Sequence, residues 1–195
     1  MKKGIALGIV FLFVVMNFTS ISGNQIDKNI IIPSVRGNTL YVGGSGPGNY
    51  TKIQDAIDNA SDGDTVFVYN EGSPYYERLV IDMSINLIGE DRDNTVIDGS
   101  GNGDVINVTA DWVNISRFTI RHGYYLGYDG YDGIEINSNN NSIRENNILY
   151  VLVGIEINLN YNIITDNNIS YSRYGIFLFS SSRNTIKNNN LSYNE

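Results

Sequence analysis

Short runs in which apolar and polar residues alternate recur along the second half of the chain. Ile134 and Ile136 flank a glutamate, and Ile155 and Ile157 flank another one. Side chains two apart on an extended strand point to the same face, so this alternation predicts short strands with one buried face. None of these runs continues with the spacing of an amphipathic helix, which argues against the helical repeat families.

The predicted strands belong to a repeat of 21 residues. GIEINSNNNSIRENNILYVLV is followed by GIEINLNYNIITDNNISYSRY and then by GIFLFSSSRNTIKNNNLSYNE. A repeat of about 20 residues indicates a solenoid, in which each unit buries its apolar face against its neighbours. Strand-forming units of this length predict an all-β, right-handed parallel β-helix, with three short strands in each coil.

The same spacing extends upstream of the three clear repeats. Ile106 and Ile115 are nine residues apart, as are the corresponding isoleucines of the later units, and Ile85 lies 21 residues before Ile106. One connection is seven residues longer than its later counterparts, and matching the coils places this bulge within residues 122–132. We therefore expect roughly six coils in residues 65–195.

Asparagine recurs at one position of the repeat, in Asn146, Asn167 and Asn189. Residues at one position of a solenoid stack directly above each other, so these amides are expected to form a hydrogen-bonded ladder. Asparagine also tolerates the left-handed backbone conformation that tight turns require. These asparagines are therefore interpreted as residues that stabilise the turns, and not as residues that bind a ligand.

The N-terminal segment predicts export. In residues 1–23, two lysines precede an apolar run and then small residues, which is the pattern of a signal peptide; an uncleaved membrane anchor is the alternative. Residues 24–38 are interpreted as a linker. Residues 39–64 are predicted to form a strand and a short helix that caps the solenoid, with Thr51 and Gln54 as a capping box.

The segments NYTKIQDAIDNASDGDTVFV and SPYYERLVIDMSINLIGEDRDNTVIDGSGNGDVI resemble the β-helix proteins grouped as carbohydrate-binding proteins and sugar hydrolases. The repeats resemble those of NosD-like proteins, and the likeness covers about residues 39–195. It implies a pectate-lyase-like superfold on a cell surface. The NosD-like label also suggests copper, but the chain after residue 23 has one histidine, one methionine and no cysteine, so no copper site is expected.

The start of the chain is also similar to that of pectin methylesterases, which share the GDTV segment and a Tyr-x-Glu element, here Tyr75 and Glu77. The motifs that carry the chemistry of that family, Gln-Asp-Thr, Asp-Phe-Ile-Phe-Gly and Gly-Arg-Pro-Trp, do not occur in the sequence. The two glutamines, Gln25 and Gln54, fall in the predicted linker and cap. This resemblance therefore implies the fold, and esterase activity is not expected.

The bulge is the first candidate functional site, because loops inserted into a rigid scaffold often carry function. It combines tyrosines with aspartates, and aromatic rings stack on sugars while carboxylates accept hydrogen bonds from sugar hydroxyls. The only tryptophan falls in a turn of the same coil. An ordinary self-packed loop is the alternative. The candidates for carbohydrate binding are Trp112, Tyr124, Tyr125, Tyr128 and Tyr131.

Glu135 and Glu156 form a second candidate site, because both occupy the same outward position in consecutive coils, about 5 Å apart. Together with Asp129 and Asp132 they are candidate ligands for Ca²⁺, which takes several carboxylate oxygens in flexible geometry. Polysaccharide lyases of the resembled fold use acidic columns in this way, with an arginine or lysine as base; Arg144 and Arg173 are the candidates here, and sequence spacing alone assigns neither. The same separation suits a retaining glycosidase pair, and a solvated pair without function is the third alternative.

The net charge of −8 excludes nucleic acid as a favoured partner, and removal of residues 1–23 would lower it to −10. We therefore expect an exported, secreted or cell-surface module that interacts with polysaccharide or is structural, and that requires no cofactor. A Ca²⁺-dependent polysaccharide lyase or glycoside hydrolase is the alternative. The last repeat has no predicted cap, and its open edge is expected to take further coils or to self-associate.

Overall fold

The computed structural model describes residues 37–101, 103–123 and 131–194. The predicted signal peptide and nearly all of the predicted linker lie outside these residues. Backbone contacts separate residues 1–34 from a second unit, Val35–Glu195, and the account below concerns the second unit alone. In the described ranges, no helix combines the length and the apolar character needed to cross a membrane.

The described residues form seventeen short strands, one α-helix and one turn of 3₁₀ helix, Asn70–Gly72. In chain order they are β1 (Thr39–Val42), α1 (Ile53–Asp58), β2 (Thr65–Val68), β3 (Leu79–Ile81), β4 (Asn86–Gly89), β5 (Val96–Asp98), β6 (Ile106–Val108), β7 (Asn114–Ser116), β8 (Thr119–Arg121), β9 (Ile134–Ile136), β10 (Ser142–Arg144), β11 (Asn147–Leu149), β12 (Val153–Ile157), β13 (Ile163–Thr165), β14 (Asn168–Ser170), β15 (Tyr174–Leu178), β16 (Thr185–Lys187) and β17 (Asn190–Ser192).

The strands pair into three parallel sheets. Sheet A has the order β1-β2-β4-β7-β10-β13-β16, sheet B the order β5-β8-β11-β14-β17, and sheet C the order β3-β6-β9-β12-β15. From β6 onward the chain visits sheets C, A and B in turn, once in each coil, and every strand pairs with its counterpart one coil away. This is the predicted right-handed parallel β-helix, and the prediction of the fold class is confirmed.

The strand register follows the repeat. Ile134 pairs with Ile155, which in turn pairs with Ile176, as the 21-residue spacing predicts. Ile106 pairs with Ile134, so the predicted position of the extra residues between these coils is confirmed. The assignment of Ile85 to the coil position of Ile106 is wrong. Leu79 pairs with Ile106 instead, because the coil between them is longer than 21 residues.

The interior is a column of inward-facing isoleucine, leucine and valine side chains. Ile115, Ile143 and Ile164 of sheet A are fully buried, and so are Ile120 and Ile148 of sheet B. Burial of each of these side chains stabilises the folded state by about 2 kcal/mol. Because each coil buries its apolar face only against its neighbours, stability accumulates along the stack.

The predicted asparagine ladder is present, and Asn146 and Asn167 in it are fully buried. Asn146 Nδ2 donates a hydrogen bond to Asn167 Oδ1 at 3.2 Å, and Asn167 Nδ2 donates to Asn189 Oδ1 at 3.0 Å. The same Oδ1 atoms accept backbone N–H groups from the coil below. A second ladder, which the sequence analysis did not identify, runs through Asn141 and Asn162. The ladders satisfy backbone groups that the turns leave without partners.

The helix α1 packs its buried residues Ile53 and Ala56 against β1, β2 and β3. The predicted capping box is wrong, because the helix starts after Lys52 and the side chain of this N-cap residue makes no capping hydrogen bond. The carboxylate of Glu77 accepts the backbone N–H groups of Ile53 and Gln54 instead, at 2.9 and 3.0 Å. A distant carboxylate thus satisfies two of the free donors at the helix N-terminus.

Candidate functional site

The outer face of sheet C carries the predicted pair of glutamates. Isoleucines on either side of Glu135 and Glu156 point into the core, so both carboxylates point outward. The two residues are direct neighbours in the sheet register, as the repeat predicts. In register order, the outward row consists of Val80, Asn107, Glu135, Glu156 and Phe177.

A row of amides lies beside the glutamates on the same face. Asn158 Nδ2 donates hydrogen bonds to Asn137 Oδ1 at 2.8 Å and to Glu135 Oε1 at 3.3 Å. Asn137 Nδ2 in turn donates to Asn107 Oδ1 at 3.3 Å. This network fixes the position of one glutamate and presents a polar surface that both donates and accepts hydrogen bonds.

Asp132 lies at the edge of this face, where the bulge joins β9, and it is only 7% exposed. Its backbone N–H donates to Asp104 Oδ1 at 2.8 Å, and its carboxyl group forms hydrogen bonds with Glu156 and with the backbone N–H of Val153. Burial, together with the charges of Asp104 and Glu156, raises the pKa of Asp132 to about 8. The raised pKa favours the protonated form of Asp132, which can donate a hydrogen bond to Glu156.

A cleft of about 390 Å³ opens next to these carboxyl groups, over the first strands of sheet C. Tyr131, the last residue of the bulge region before Asp132, borders the cleft and is 42% exposed. The cleft brings together an aromatic ring, a guanidinium group, a carboxylate and an amide. Its lining residues are Arg78, Leu79, Val80, Gly103, Asp104, Asn107 and Tyr131.

The structure locates two of the five candidates for carbohydrate binding. Tyr131 borders the cleft, whereas Trp112 lies in the turn between β6 and β7, at the opposite edge of sheet C, with 65% of its surface exposed. The two residues therefore lie beyond opposite ends of the strands of sheet C, instead of forming one platform. Tyr124, Tyr125 and Tyr128 lie outside the described residues.

The structure also locates three of the four candidate calcium ligands, Asp132, Glu135 and Glu156, while Asp129 lies outside the described residues. Within the described ranges, no group of three or more histidine, cysteine, aspartate or glutamate residues is arranged to hold a metal ion. The hydrogen bonds that Asp132 makes with protein groups also occupy a carboxyl group that Ca²⁺ would need. The calcium site stays a prediction.

Of the two arginines considered as a catalytic base, Arg144 lies on the outer side of sheet A and forms an ion pair with Glu145 at 3.2 Å. It therefore belongs to a different face from Glu135. Arg173 precedes β15 at the edge of sheet C, with its guanidinium group over the ring of Tyr174, 5.4 Å from the centroid. Sequence spacing did not show which arginine lies near the glutamates. The structure does, because Arg144 lies on sheet A whereas Arg173 lies next to sheet C.

Sequence analysis missed Asp104, whose carboxylate orients the backbone of Asp132 and lines the cleft. A signal was available, since Asp104 precedes Ile106 by two residues, as Asp132 precedes Ile134. The two isoleucines are paired in the sheet, which places the two aspartates at equivalent positions of consecutive coils. Alignment of the repeats at this turn would have shown the pair.

Comparison with known proteins finds no matching family model and no matching curated protein. Solved structures do match. A mutant pectin methylesterase in complex with a hexasaccharide has a TM-score of 0.58 and 18% sequence identity, over 67% of this chain and 48% of its own. The pectin methylesterase of Erwinia chrysanthemi has a TM-score of 0.54 and 18% identity, over 69% and 49% of the two chains.

The pectin methylesterase of Aspergillus niger has a TM-score of 0.52 and 21% identity, over 80% of this chain and 67% of its own. The present chain spans about half the length of the first two of these enzymes. At such low identity, the likeness concerns the fold and not the activity. The chain is thus a right-handed parallel β-helix protein, with the fold that is found in pectin methylesterases.

Proposed function

We propose that the protein is an exported module that binds polysaccharide on the outer face of sheet C. The observation that carries this proposal is the 390 Å³ cleft in which the exposed ring of Tyr131 meets Arg78, Asp104 and Asn107. An aromatic surface with a few convergent polar groups is the usual composition of a small-molecule site. Sugars fit this chemistry, because a pyranose has an apolar face and a rim of hydroxyl groups.

The surroundings of the cleft support the same ligand class. The amide row of Asn107, Asn137 and Asn158 offers donors and acceptors along the stack, and Trp112 borders the far edge of the sheet. One of the structural neighbours is an enzyme crystallised with a hexasaccharide. The proposed partner is thus a polysaccharide or a cell-surface glycan, and the pattern of residues 1–23 supports export to where such glycans occur.

The test is binding of the chain without residues 1–23 to a panel of neutral and acidic polysaccharides, with Ca²⁺ and with EDTA. We expect binding that weakens at least tenfold in Tyr131→Ala. Tyr41→Ala is the matched control, since Tyr41 is 43% exposed, close to the exposure of Tyr131, but lies on β1 of sheet A. Equal loss in both variants, or no binding to any polysaccharide, would refute the proposal. Loss of binding with EDTA alone would establish the predicted calcium site.

A second candidate function is hydrolysis or elimination at a glycosidic bond. The observation that favours it is the outward pair of Glu135 and Glu156 on neighbouring strands, whose positions are about 4.8 Å apart. Retaining glycosidases use two carboxyl groups about 5 Å apart, one of which donates a proton while the other attacks the sugar. This function predicts new reducing or unsaturated ends in the same panel, lost in Glu135→Gln or Glu156→Gln. Binding without any product would leave the first proposal as the function.

A further inference from the structure

A column of stacked aromatic rings runs along the turn that follows sheet B. His122, Tyr150, Tyr171 and Tyr193 are each the first residue after a strand of this sheet. Their ring centroids are 6.0, 5.2 and 5.2 Å apart in chain order, with interplanar angles of 30°, 21° and 3°. We call these four residues the aromatic column. It lies at the corner between sheets B and C, and the groove beside it opens over sheet B, whereas the cleft described above opens over sheet C.

The fold does not require aromatic residues at this position. All four have a positive φ, between 53° and 58°, which costs a residue other than glycine about 1 kcal/mol. The equivalent position in the preceding coil is Gly99, and asparagine occupies left-handed positions in the other turns, at Asn140 and Asn188. Left-handed residues recur in the other turns as well, so the conformation belongs to the turn, but among the described residues only this turn carries an aromatic residue in four successive coils. The tyrosines are also not core residues, since Tyr171 is 48% exposed.

A groove of about 380 Å³ lies between the aromatic column and the outward asparagines of sheet B. Asn168 Nδ2 donates to Asn147 Oδ1 at 3.1 Å, so these half-buried amides form a row along the stack. The groove carries hydroxyl groups, amides and one aliphatic side chain, and no aspartate, glutamate, lysine, arginine or histidine is among its lining residues. They are Thr119, Asn147, Leu149, Asn168, Ser170, Tyr171, Asn190, Ser192 and Tyr193.

The repeat distance of the groove restricts the ligand further. Successive strands of a sheet are about 4.8 Å apart, and the tyrosine rings follow at 5.2 Å. This distance is close to the length of one sugar unit in an extended, β-linked pyranose chain. A chain parallel to the solenoid axis would therefore meet the same asparagine and tyrosine groups at every sugar.

From these observations we propose that the groove between the aromatic column and the row Asn147, Asn168 and Asn190 binds a neutral, extended, β-linked polysaccharide. Within the column, the rings cover each other's faces, so they offer their edges and hydroxyl groups to the ligand. Recognition thus depends on hydrogen bonds repeated at each coil, with Leu149 as the apolar floor. This site is separate from the cleft on sheet C and takes a ligand without charge.

The experiment measures depletion of the chain without residues 1–23 from solution by insoluble cellulose and chitin, with granular starch as the α-linked comparison. The variant is Tyr150→Asn combined with Tyr171→Asn, because asparagine accepts the left-handed conformation and preserves the turn. The matched control is Tyr161→Asn, since Tyr161 is also 48% exposed with a φ of 61°, but lies in another turn. Tyr131→Ala tests the cleft on sheet C separately.

We expect retention by cellulose or chitin but not by starch, with little dependence on NaCl, and at least a tenfold loss in the double variant alone. Absence of retention by both β-linked polymers would overturn the proposal, as would an equal loss in Tyr161→Asn. Retention that is lost in Tyr131→Ala but kept in the double variant would also overturn it, while supporting the function proposed for sheet C. Retention that disappears in moderate salt would contradict a neutral groove.

Discussion

The backbone N–H of Asp132 donates a hydrogen bond to the carboxylate of Asp104, 28 residues earlier in the chain, across 2.8 Å. The contact holds two acidic residues of consecutive coils together at the edge of sheet C. Because Asp132 is also buried next to Glu156, its carboxyl group keeps a proton at neutral pH. This arrangement gives the folded chain a pH dependence of defined sign.

We predict that the free energy of unfolding falls as the pH rises from about 4 to about 8. The pKa of Asp132 is raised from 3.8 to about 8 in the folded state, so in this window the unfolded state has lost a proton that the folded state retains. Asp132→Asn should remove this dependence. The free energy of unfolding of the variant, minus that of the original chain, should increase by at least about 1.4 kcal/mol between pH 5 and pH 8.

Urea unfolding at several pH values measures this difference. Asp82→Asn is the control, because Asp82 is exposed and is not among the groups that raise the pKa of Asp132. A constant difference between Asp132→Asn and the original chain across the pH range would show that Asp132 is ionised in the folded state.

We also predict that Asn167→Ala destabilises the protein by about 3 kcal/mol. The side chain of Asn167 is fully buried, and its amide donates to the carbonyl oxygens of Ile143 and Thr165, while its Oδ1 accepts the backbone N–H of Asn146. Truncation would leave these buried groups without partners. Asn168→Ala, at the next and outward position, should cost less than about 1 kcal/mol. Similar effects of the two substitutions in denaturant unfolding would contradict this role of the ladder.

A third prediction concerns the helix α1. Removal of the carboxylate in Glu77→Ala should destabilise the chain by about 1 to 2 kcal/mol, since the N–H groups of Ile53 and Gln54 lose their acceptor. Hydrogen exchange of these two amides should accelerate at the same time. Glu71→Ala is the control, because Glu71 is exposed in the 3₁₀ turn and does not contact the helix N-terminus. Unchanged exchange in Glu77→Ala would show that another group caps the helix.

The fourth prediction concerns the last described coil, whose inward positions are exposed. Leu178, Ile186 and Leu191 are 45%, 42% and 51% exposed, whereas the paired residues of the preceding coil are fully buried. Exposed apolar side chains beside unpaired strand edges favour association. The chain without residues 1–23 is expected to self-associate with increasing concentration, and Ile186→Lys with Leu191→Lys should shift it towards the monomer.

Light scattering after size exclusion at several concentrations measures this shift. Ser192→Lys serves as the control, since Ser192 belongs to the outward row of the same strand as Leu191. A monomer at every concentration, or an equal shift in the control, would refute association through this edge.

The repeat itself determined most of the fold. Alternation at Ile134 and Ile136 predicts a strand with one buried face, and a fixed spacing of 21 residues predicts which strands pair, because residues at one position of a solenoid must stack. The same logic correctly placed Glu135 beside Glu156 and Asn167 beside its ladder partners. It failed for Ile85, because the coil before Ile106 has a different length and shifts the register.

Only the tertiary structure decided which side chains meet across the turns. The capping of α1 by Glu77, the protonated state of Asp132 and the cleft beside Tyr131 depend on contacts between residues far apart in sequence. The aromatic column follows from the position of each ring after a strand of sheet B, where His122 joins the tyrosines despite the longer coil between them. The alternation of apolar and polar residues predicts a strand because it involves only a few neighbouring residues. Burial and charge at these sites depend instead on turns that are far apart in sequence and meet only in the folded chain.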